Sequence, residues 1–221
     1  MYMKPFKRLP RHIGIIPDGN RRWALAQGLQ KQDGYQHGVG PGLDLYKACL
    51  ELGVEEMTFY GFTMDNVKRP SIQTRAFKKA CVDSVEALKD WDADLLVIGN
   101  TKSKVFPEEL KPYTTRTCFG EGKMKVNFLV NYGWEWDLNQ AFQKADEQIT
   151  GSMIDHIASK DISRMELIIR WGGRRRLSGF LPVQSVYSDF YIVDQTWPDY
   201  HKNHLYQALE WYQEQDVTLG G

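Results

Sequence analysis

Short apolar runs recur along this chain, each followed by a longer stretch with helical spacing. That alternation limits the possible fold more than any other feature. HIGII (12–16), EEMTFYGF (55–62), DLLVIG (94–99), KVNFLVNYG (125–133), MELIIRWGG (165–173) and SDFYIVD (188–194) are strand candidates. Near-continuous apolar runs of this length suit strands covered on both faces. Helical patterns fill the gaps: RRWALAQ after the first run, then a segment where Leu43, Tyr46, Lys47 and Leu50 share one face. Further helices are expected over about Thr74–Trp91, Phe106–Thr117, Glu135–Glu147 and Asn203–Glu214. Strand alternating with helix implies an α/β fold, with a largely parallel central sheet flanked by helices. No repeat, low-complexity stretch or dividing linker interrupts it, so residues 1–221 are expected to form a single domain. Ligands of such sheets bind beyond the C-terminal strand ends. The informative residues should follow the apolar runs.

Charge narrows the class of partner. The chain has 28 Lys+Arg against 28 Asp+Glu, which argues against a polybasic nucleic-acid binder and against an acidic disordered chain. The distribution is uneven, however. No acid precedes Asp18, arginines crowd positions 21–22 and 170–176, and Lys202 is the only Lys or Arg after Arg176. Cys49, Cys81 and Cys118 are odd in number, widely spaced and without a CxxC pair, as expected of reduced thiols in a cytoplasmic protein. The basic opening MYMKPFKRLPRHIGII is broken by Pro17 and Asp18, so neither a signal peptide nor an integral membrane segment is expected.

Four segments carry polar groups to strand exits. In PDGNRRW (17–23), Gly19 permits a tight turn, a helix start offers free N–H groups, and Arg21 and Arg22 can bind phosphate oxygens in pairs. Asp18 could hold a Mg²⁺ ion bridging to those oxygens. An Asp–Gly turn with surface arginines fits the same residues equally well. RWGGRRRLSGF (170–180) sets Arg170, Arg174, Arg175 and Arg176 around two glycines, with Ser178 nearby. Such self-repulsion favours an anion, diphosphate foremost, over a solvated basic loop. FTMDNVKRP (62–70) offers Thr63, Asp65, Asn66 and Arg69, and by itself reads as a polar turn before a helix. Asp189 opens the last strand as a solvated cap or as part of a metal site. Of the five histidines, His12 is expected to pack at the start of the first strand. His37, in GYQHGVGPG, is the candidate functional one. There is no GxxxxGK[ST], GxSxG or GxGxxG to anchor other nucleotide or hydrolase chemistry.

Read in order, these segments resemble the cis-prenyltransferase family of Z-isoprenyl diphosphate synthases. HIGIIPDGNRRWA is similar to H-x-A-I-I-x-D-G-N-x-R-W-A, YGFTMDNVKRP to Y-A-F-S-x-E-N-W-x-R-P, and VNYGWEWDL to N-Y-G-G-R-x-D-I. RWGGRRRLSGFLPVQSVYSDFYIVDQTWPDY is similar to the long closing block of that family. The resemblance implies an α/β homodimer that joins an allylic diphosphate to homoallylic isopentenyl diphosphate. It implies that Asp18 holds Mg²⁺, while Gly19, Asn20, Arg21, Arg22 and Trp23 form the first diphosphate site. Lys31 is the nearest candidate for a further phosphate contact. His37, Thr63 and Asn66 fall near the reacting carbons and the departing proton, and Arg69 also matches. Arg170, Arg176 and Ser178 match the second diphosphate site, and Asp189 replaces a Glu that contributes to the metal, normally across the dimer.

Departures cluster on the second-substrate side. Arg174 stands where the family has Glu, followed by Arg175, and Val67, Gly179 and Val183 replace Trp, Asn and Trp. The tail QDVTLGG lacks the family's arginine, which Arg174 or Arg175 could replace. Three outcomes are open: ordinary short Z-elongation, irregular branched condensation, or transfer to another nucleophile. A terpene-synthase-like ionisation without acceptor and a non-catalytic partner subunit are the competing classes. The Pro70–Gly99 segment looks short for a tunnel wall, at about 1.5 Å lost per missing helical residue. Phe77, Trp91, Phe128 and Trp134 could close that tunnel. The expected product is therefore on the order of two to five isoprene units.

Overall fold

The computed structural model describes residues 6–143 and 152–216. Its centre is a seven-stranded sheet formed by β1 (His12–Ile16), β2 (Glu56–Tyr60), β3 (Ala93–Ile98), β4 (Thr117–Cys118), β5 (Met124–Leu129), β6 (Leu167–Arg170) and β7 (Asp189–Ile192). The order is β4-β3-β5-β2-β1-β6-β7. Every pairing is parallel except that of the short β4 with β3. The chain builds outward from β1 in one direction through β2 and β3, and later in the other through β6 and β7. A crevice at that reversal, above the C-terminal strand ends, is where such sheets bind ligands.

Helices α1 (Asn20–Ala26), α2 (Val39–Glu51), α3 (Ser71–Glu86), α4 (Trp134–Gln143) and α5 (Lys202–Gln213) flank the sheet. Two apolar clusters cover its faces. One gathers Ile13, Ile15, Leu45, Met57, Leu95 and Leu205, the other Ile16, Leu96, Leu129, Ile168, Phe180 and Leu181. Successive residues of β1 serve opposite clusters, as a two-residue strand period requires.

Several elements differ from the sequence expectation in extent. Helix α3 starts at Ser71, because Pro70 is tolerated just before a helix, and it ends at Glu86. The expected helix near Phe106–Thr117 is a 3₁₀ segment, Glu108–Thr114, because Pro112 inside it cannot donate to an α-helical ladder. The sequence pattern carried α4 on to Glu147, but residues 144–151 lie outside the described residues. Cys49 and Cys81 are buried, Cys118 is exposed, and all three are free.

Beneath the sheet's N-terminal edge lies a buried polar network. His12 Nε2 meets Thr58 Oγ1 at 2.8 Å and its Nδ1 meets Ser163 O at 3.0 Å. Glu56 Oε1 accepts from Asn127 Nδ2 at 2.7 Å and Ser163 N at 3.3 Å. Burial pushes the His12 pKa below its usual value, and the Glu56 charge only partly opposes this. Burial alone would raise Glu56, but the His12 charge and the Ser163 and Asn127 hydrogen bonds outweigh it and hold the carboxyl low.

Both shifts give stability the same sign. Below the unfolded His12 value of 6.5 the unfolded chain binds the proton first, so stability falls as pH falls. Glu56 contributes fully above its unfolded value of 4.5, and that contribution is lost as pH drops through the lower folded value. Urea midpoints should therefore decline on acidification in two stages. His12→Gln should flatten the upper stage and Glu56→Gln the lower one. Unchanged slopes in both variants would place the acid sensitivity elsewhere.

Candidate active site

The exits of β1, β2 and β6 converge on a cleft of about 580 Å³. Asp18 follows β1 by two residues, Thr63 and Asn66 follow β2, and Arg170 is the last residue of β6. Gly19 makes the turn into α1 with φ 108°, a conformation that favours glycine, and a Cβ there would lie 2.7 Å from Thr196 Cβ. The backbone of Trp197 donates to Asp18 O at 2.9 Å, which locks this turn from the far side.

One ion pair ties the 17–23 and 170–180 segments together. Arg170 Nη2 donates to Asp18 Oδ2 at 2.7 Å, and the Arg170 side chain is only 4% exposed. Its Nη1 donates to Ser178 Oγ at 3.1 Å and to Arg176 O. Arg22 Nη2 donates to Gly172 O at 2.8 Å and stands 3.6 Å from Asp18 Oδ1. Tyr60 Oη donates to Ser178 O at 2.7 Å, holding the second loop over the sheet. The Nε atoms of Arg21 and Arg170 and Oδ1 of Asn20 are buried without partners. Such orphaned groups are costly unless a ligand satisfies them.

The cleft lining contains Asp18, Gly19, Asn20, Arg21, Arg22, Lys31, Thr63, Asn66, Arg69, Arg170, Arg176 and Ser178. Six cations (Arg21, Arg22, Lys31, Arg69, Arg170, Arg176) face two carboxylates (Asp18, Asp65), an excess of four positive charges. An anion carrying several charges matches that field.

Five candidates from the sequence fall outside this lining. Trp23 is turned away because its Nε1 donates to Asp199 Oδ1 at 2.8 Å. His37 is exposed and packs on the Trp23 ring, centroid to centroid 4.6 Å. Arg174 and Arg175 are exposed, because Gly172 (φ 84°) and Gly173 (φ 68°) turn the chain away after β6. Asp189 cannot join Asp18 within one chain. It opens β7 opposite Leu167, whereas Arg170 lies level with Ile192 at the far strand end. Burial raises the Asp189 pKa, only partly offset by Arg8, so the carboxyl is less ready to be charged than a free one.

Sequence reasoning missed Tyr35 and Tyr60, both in the cleft lining. Tyr60 was hidden as the last apolar-looking residue of a strand. Tyr35 lay two positions before the more conspicuous His37.

A second, apolar space of about 60 Å³ adjoins the cleft. Phe59, Phe77, Ala80, Cys81, Leu88 and Phe128 are among its walls. Phe77 and Phe128 thus stand where the sequence placed them, but Trp91 and Trp134 do not. Trp91 packs edge-on to Tyr46 under the Lys47 ammonium, and Trp134 is 44% exposed beside Gly179. Burial pushes the Cys81 thiol up to about 12, so it serves as an apolar wall rather than a nucleophile.

Among the described residues no cluster of three His, Cys, Asp or Glu could hold a metal by itself. A lone carboxylate at an anion cleft still fits Mg²⁺, which is commonly held by one or two carboxylates together with substrate phosphates. Among the described residues no helix is long and apolar enough to cross a membrane.

Comparisons with known proteins agree with this geometry. Residues 16–220 match the family model described as "Putative undecaprenyl diphosphate synthase". The chain is 31% identical to the ditrans,polycis-undecaprenyl-diphosphate synthase ((2E,6E)-farnesyl-diphosphate specific) of Aliivibrio fischeri, over 96% of this chain and 89% of that one. It is 33% identical to the isoprenyl transferase of Nitrosomonas europaea, over 96% and 86%. The crystal structure of lavandulyl diphosphate synthase from Lavandula x intermedia, in complex with dimethylallyl diphosphate, superposes with a TM-score of 0.83 at 25% identity, covering 96% and 98%. The alternating sheet, the Asp18–Arg170 cleft and these relatives lead to one conclusion: the chain belongs to the cis-prenyltransferase family and is a prenyltransferase.

Proposed function

We propose that the protein transfers an allylic group from its diphosphate to isopentenyl diphosphate, with Mg²⁺, and releases a short Z-prenyl diphosphate. The observation that carries this reading is the contact between a cationic cleft and a small apolar cavity, which share Pro17, Asn20, Tyr35, Gly61 and Phe77 as a common wall. A molecule with a charged head and a short hydrocarbon tail fits that pair of spaces. The structural neighbour was solved with dimethylallyl diphosphate, a five-carbon donor of that form.

Arg21, Arg22 and Lys31 hold the allylic diphosphate, and Arg170, Arg176 and Ser178 hold that of the acceptor. Asn20, fixed by its Nδ2 donating to Pro17 O at 2.9 Å, keeps Oδ1 at the wall between head and tail. The allylic C–O bond breaks, diphosphate departs, and the acceptor double bond supplies the electrons of the new C–C bond. The acceptor then loses a proton, for which the departing diphosphate is the strongest base in the cleft. Mg²⁺ on Asp18 would supply charge neutralisation of the leaving diphosphate. The guanidinium donors add fixed positive charge in a partly dry cleft, where it counts for more than in water.

Irregular branched coupling is the second reading. It rests on the sequence departure at Arg174, a guanidinium where the family has a carboxylate, although the Gly172–Gly173 turn carries this side chain outside the cleft lining. The reading also makes the enzyme a cytoplasmic homodimer. Val186 (65% exposed) and Tyr187 (53%) offer an apolar surface to a second copy.

Incubation with five-, ten- and fifteen-carbon allylic diphosphates, isopentenyl diphosphate and Mg²⁺ should yield linear Z-products of about two to five units by mass spectrometry. Products of about ten units or more would exclude the short-chain reading, and branched skeletons would select the second one. Asp18→Asn should lower turnover by about 10²-fold or more while the protein stays folded. Calorimetry adds an independent readout. Mg²⁺ should strengthen binding of inorganic diphosphate to the wild type but not to this variant. Equal Mg²⁺ enhancement in both would remove Asp18 as the metal ligand.

A further inference from the structure

The wall shared by cleft and cavity contains only two large side chains, Tyr35 and Phe77. Their rings stack nearly face to face, with centroids 4.5 Å apart and planes 4° apart. Phe62, fully buried, meets Phe77 edge-on at 5.4 Å and backs the stack from the core. Phe77 is thereby fixed on α3. Tyr35 sits on the 3₁₀ segment Asp33–Gly38, whose neighbour Gly34 is pressed so closely on α1 that a Cβ would overlap Asn20 O. The Tyr35 backbone is therefore pinned, so a change in the width of this wall falls to its side chain.

The far end of that ring reaches the diphosphate side. Arg69 Nη1 donates to Tyr35 Oη at 2.8 Å, and the same guanidinium lies 5.7 Å from the Phe77 ring centroid. Arg69 also lines the cleft and is one of its six cations. A single residue thus touches both halves of the site: its ring borders the tail cavity, and its hydroxyl is bound to a cation of the head cleft.

We propose that Tyr35 is a specificity-determining residue, whose ring closes the neck between cleft and cavity against long donor tails and whose hydroxyl latches that closure to Arg69. The inference rests on the prenyl-transfer reading above. With the neck closed, only a short tail is accommodated behind the head groups. A diphosphate that engages Arg69 competes with the latch, so head binding loosens the ring that the tail must pass. An offset aromatic stack and one charge-assisted hydrogen bond are modest interactions, of a size that substrate binding can exchange.

The test uses the full chain with five-, ten- and fifteen-carbon allylic diphosphates, and inorganic diphosphate as a competitive inhibitor. Tyr35→Ala should raise the ratio of kcat/KM for the fifteen-carbon over the five-carbon donor by about tenfold or more. Because Tyr35 is buried and truncating it removes core packing, Phe77→Leu serves as a second opening of the same neck, with the same expected direction. Tyr35→Phe keeps the stack and removes the latch. It should move the donor ratio part of the way toward that of Tyr35→Ala and, by freeing Arg69, lower the inhibition constant of inorganic diphosphate by about three- to tenfold. A donor ratio within about twofold of wild type in a folded, active neck variant would overturn the proposal. An unchanged inhibition constant in Tyr35→Phe would overturn the latch. A wild type that turns over none of the donors overturns the prenyl-transfer reading, and this inference with it.

Discussion

A guanidinium buried at the end of β6 governs the arrangement of the site. Arg170 is almost fully shielded from water, and its charge is answered by one carboxylate, Asp18, at the end of the adjacent β1. Isolated in a protein interior such a charge is very costly, and breaking a buried pair typically costs about 3–5 kcal/mol. The figure is smaller here because the Asp18 side chain keeps a third of its exposure. The pair also spans sequence positions 152 residues apart, so it forms only once the parallel sheet is in register. Arg170 Nη1 fastens Arg176 O and Ser178 Oγ, which fixes the 170–180 loop relative to the Asp18 turn. The two arginine-bearing segments are one structure because this pair joins them.

The fold was legible because a parallel sheet leaves a strong signature: apolar runs covered on both faces, separated by helices long enough for crossovers. The runs 12–16 and 55–62 contain β1 and β2, and 94–99 covers all of β3 but Ala93. What the pattern hid was local chemistry overriding period, as at Pro112, where a helical composition forms only a 3₁₀ turn. In the site, residues immediately after strands were readable, since a strand end fixes where the next few side chains go. Asp18 and Thr63 are of this kind, and Arg170 is itself the last residue of its strand. Residues placed by side-chain partners distant in sequence were not. Trp23 faces outward because of Asp199, 176 residues away, and His37 follows Trp23. Asp189 stands at the beginning of its strand while the cleft lies at the strand ends, so within one chain it does not reach Asp18.

A net charge of zero describes the whole chain and conceals this cleft, where six cations face two acids. Neutrality elsewhere is useful to such a protein. A globally basic chain would bind any polyanion, whereas a compact excess of four charges inside a cleft selects a small one with charge to match. The Nε atoms of Arg21 and Arg170 are buried without partners, which adds unanswered donor capacity to the same cationic wall.

The polar and apolar halves of the site answer to different constraints. The polar half is bound by geometry: moving Arg170, Asp18 or Ser178 disturbs several hydrogen bonds at once. It is also the half that carries most of the family's sequence motifs. The apolar half is bound mainly by volume, which one side chain can alter without disturbing a hydrogen bond. Relatives named as undecaprenyl diphosphate synthases share about 30% of this sequence. Only where the two halves touch does a change in one reach the other. In this chain that place is occupied by Tyr35, a residue with an aromatic body for the tail and a hydroxyl for the head. Amphipathic side chains suit boundaries for this reason. The substrate, itself a charged head on an apolar tail, would meet at Tyr35 a side chain divided as it is.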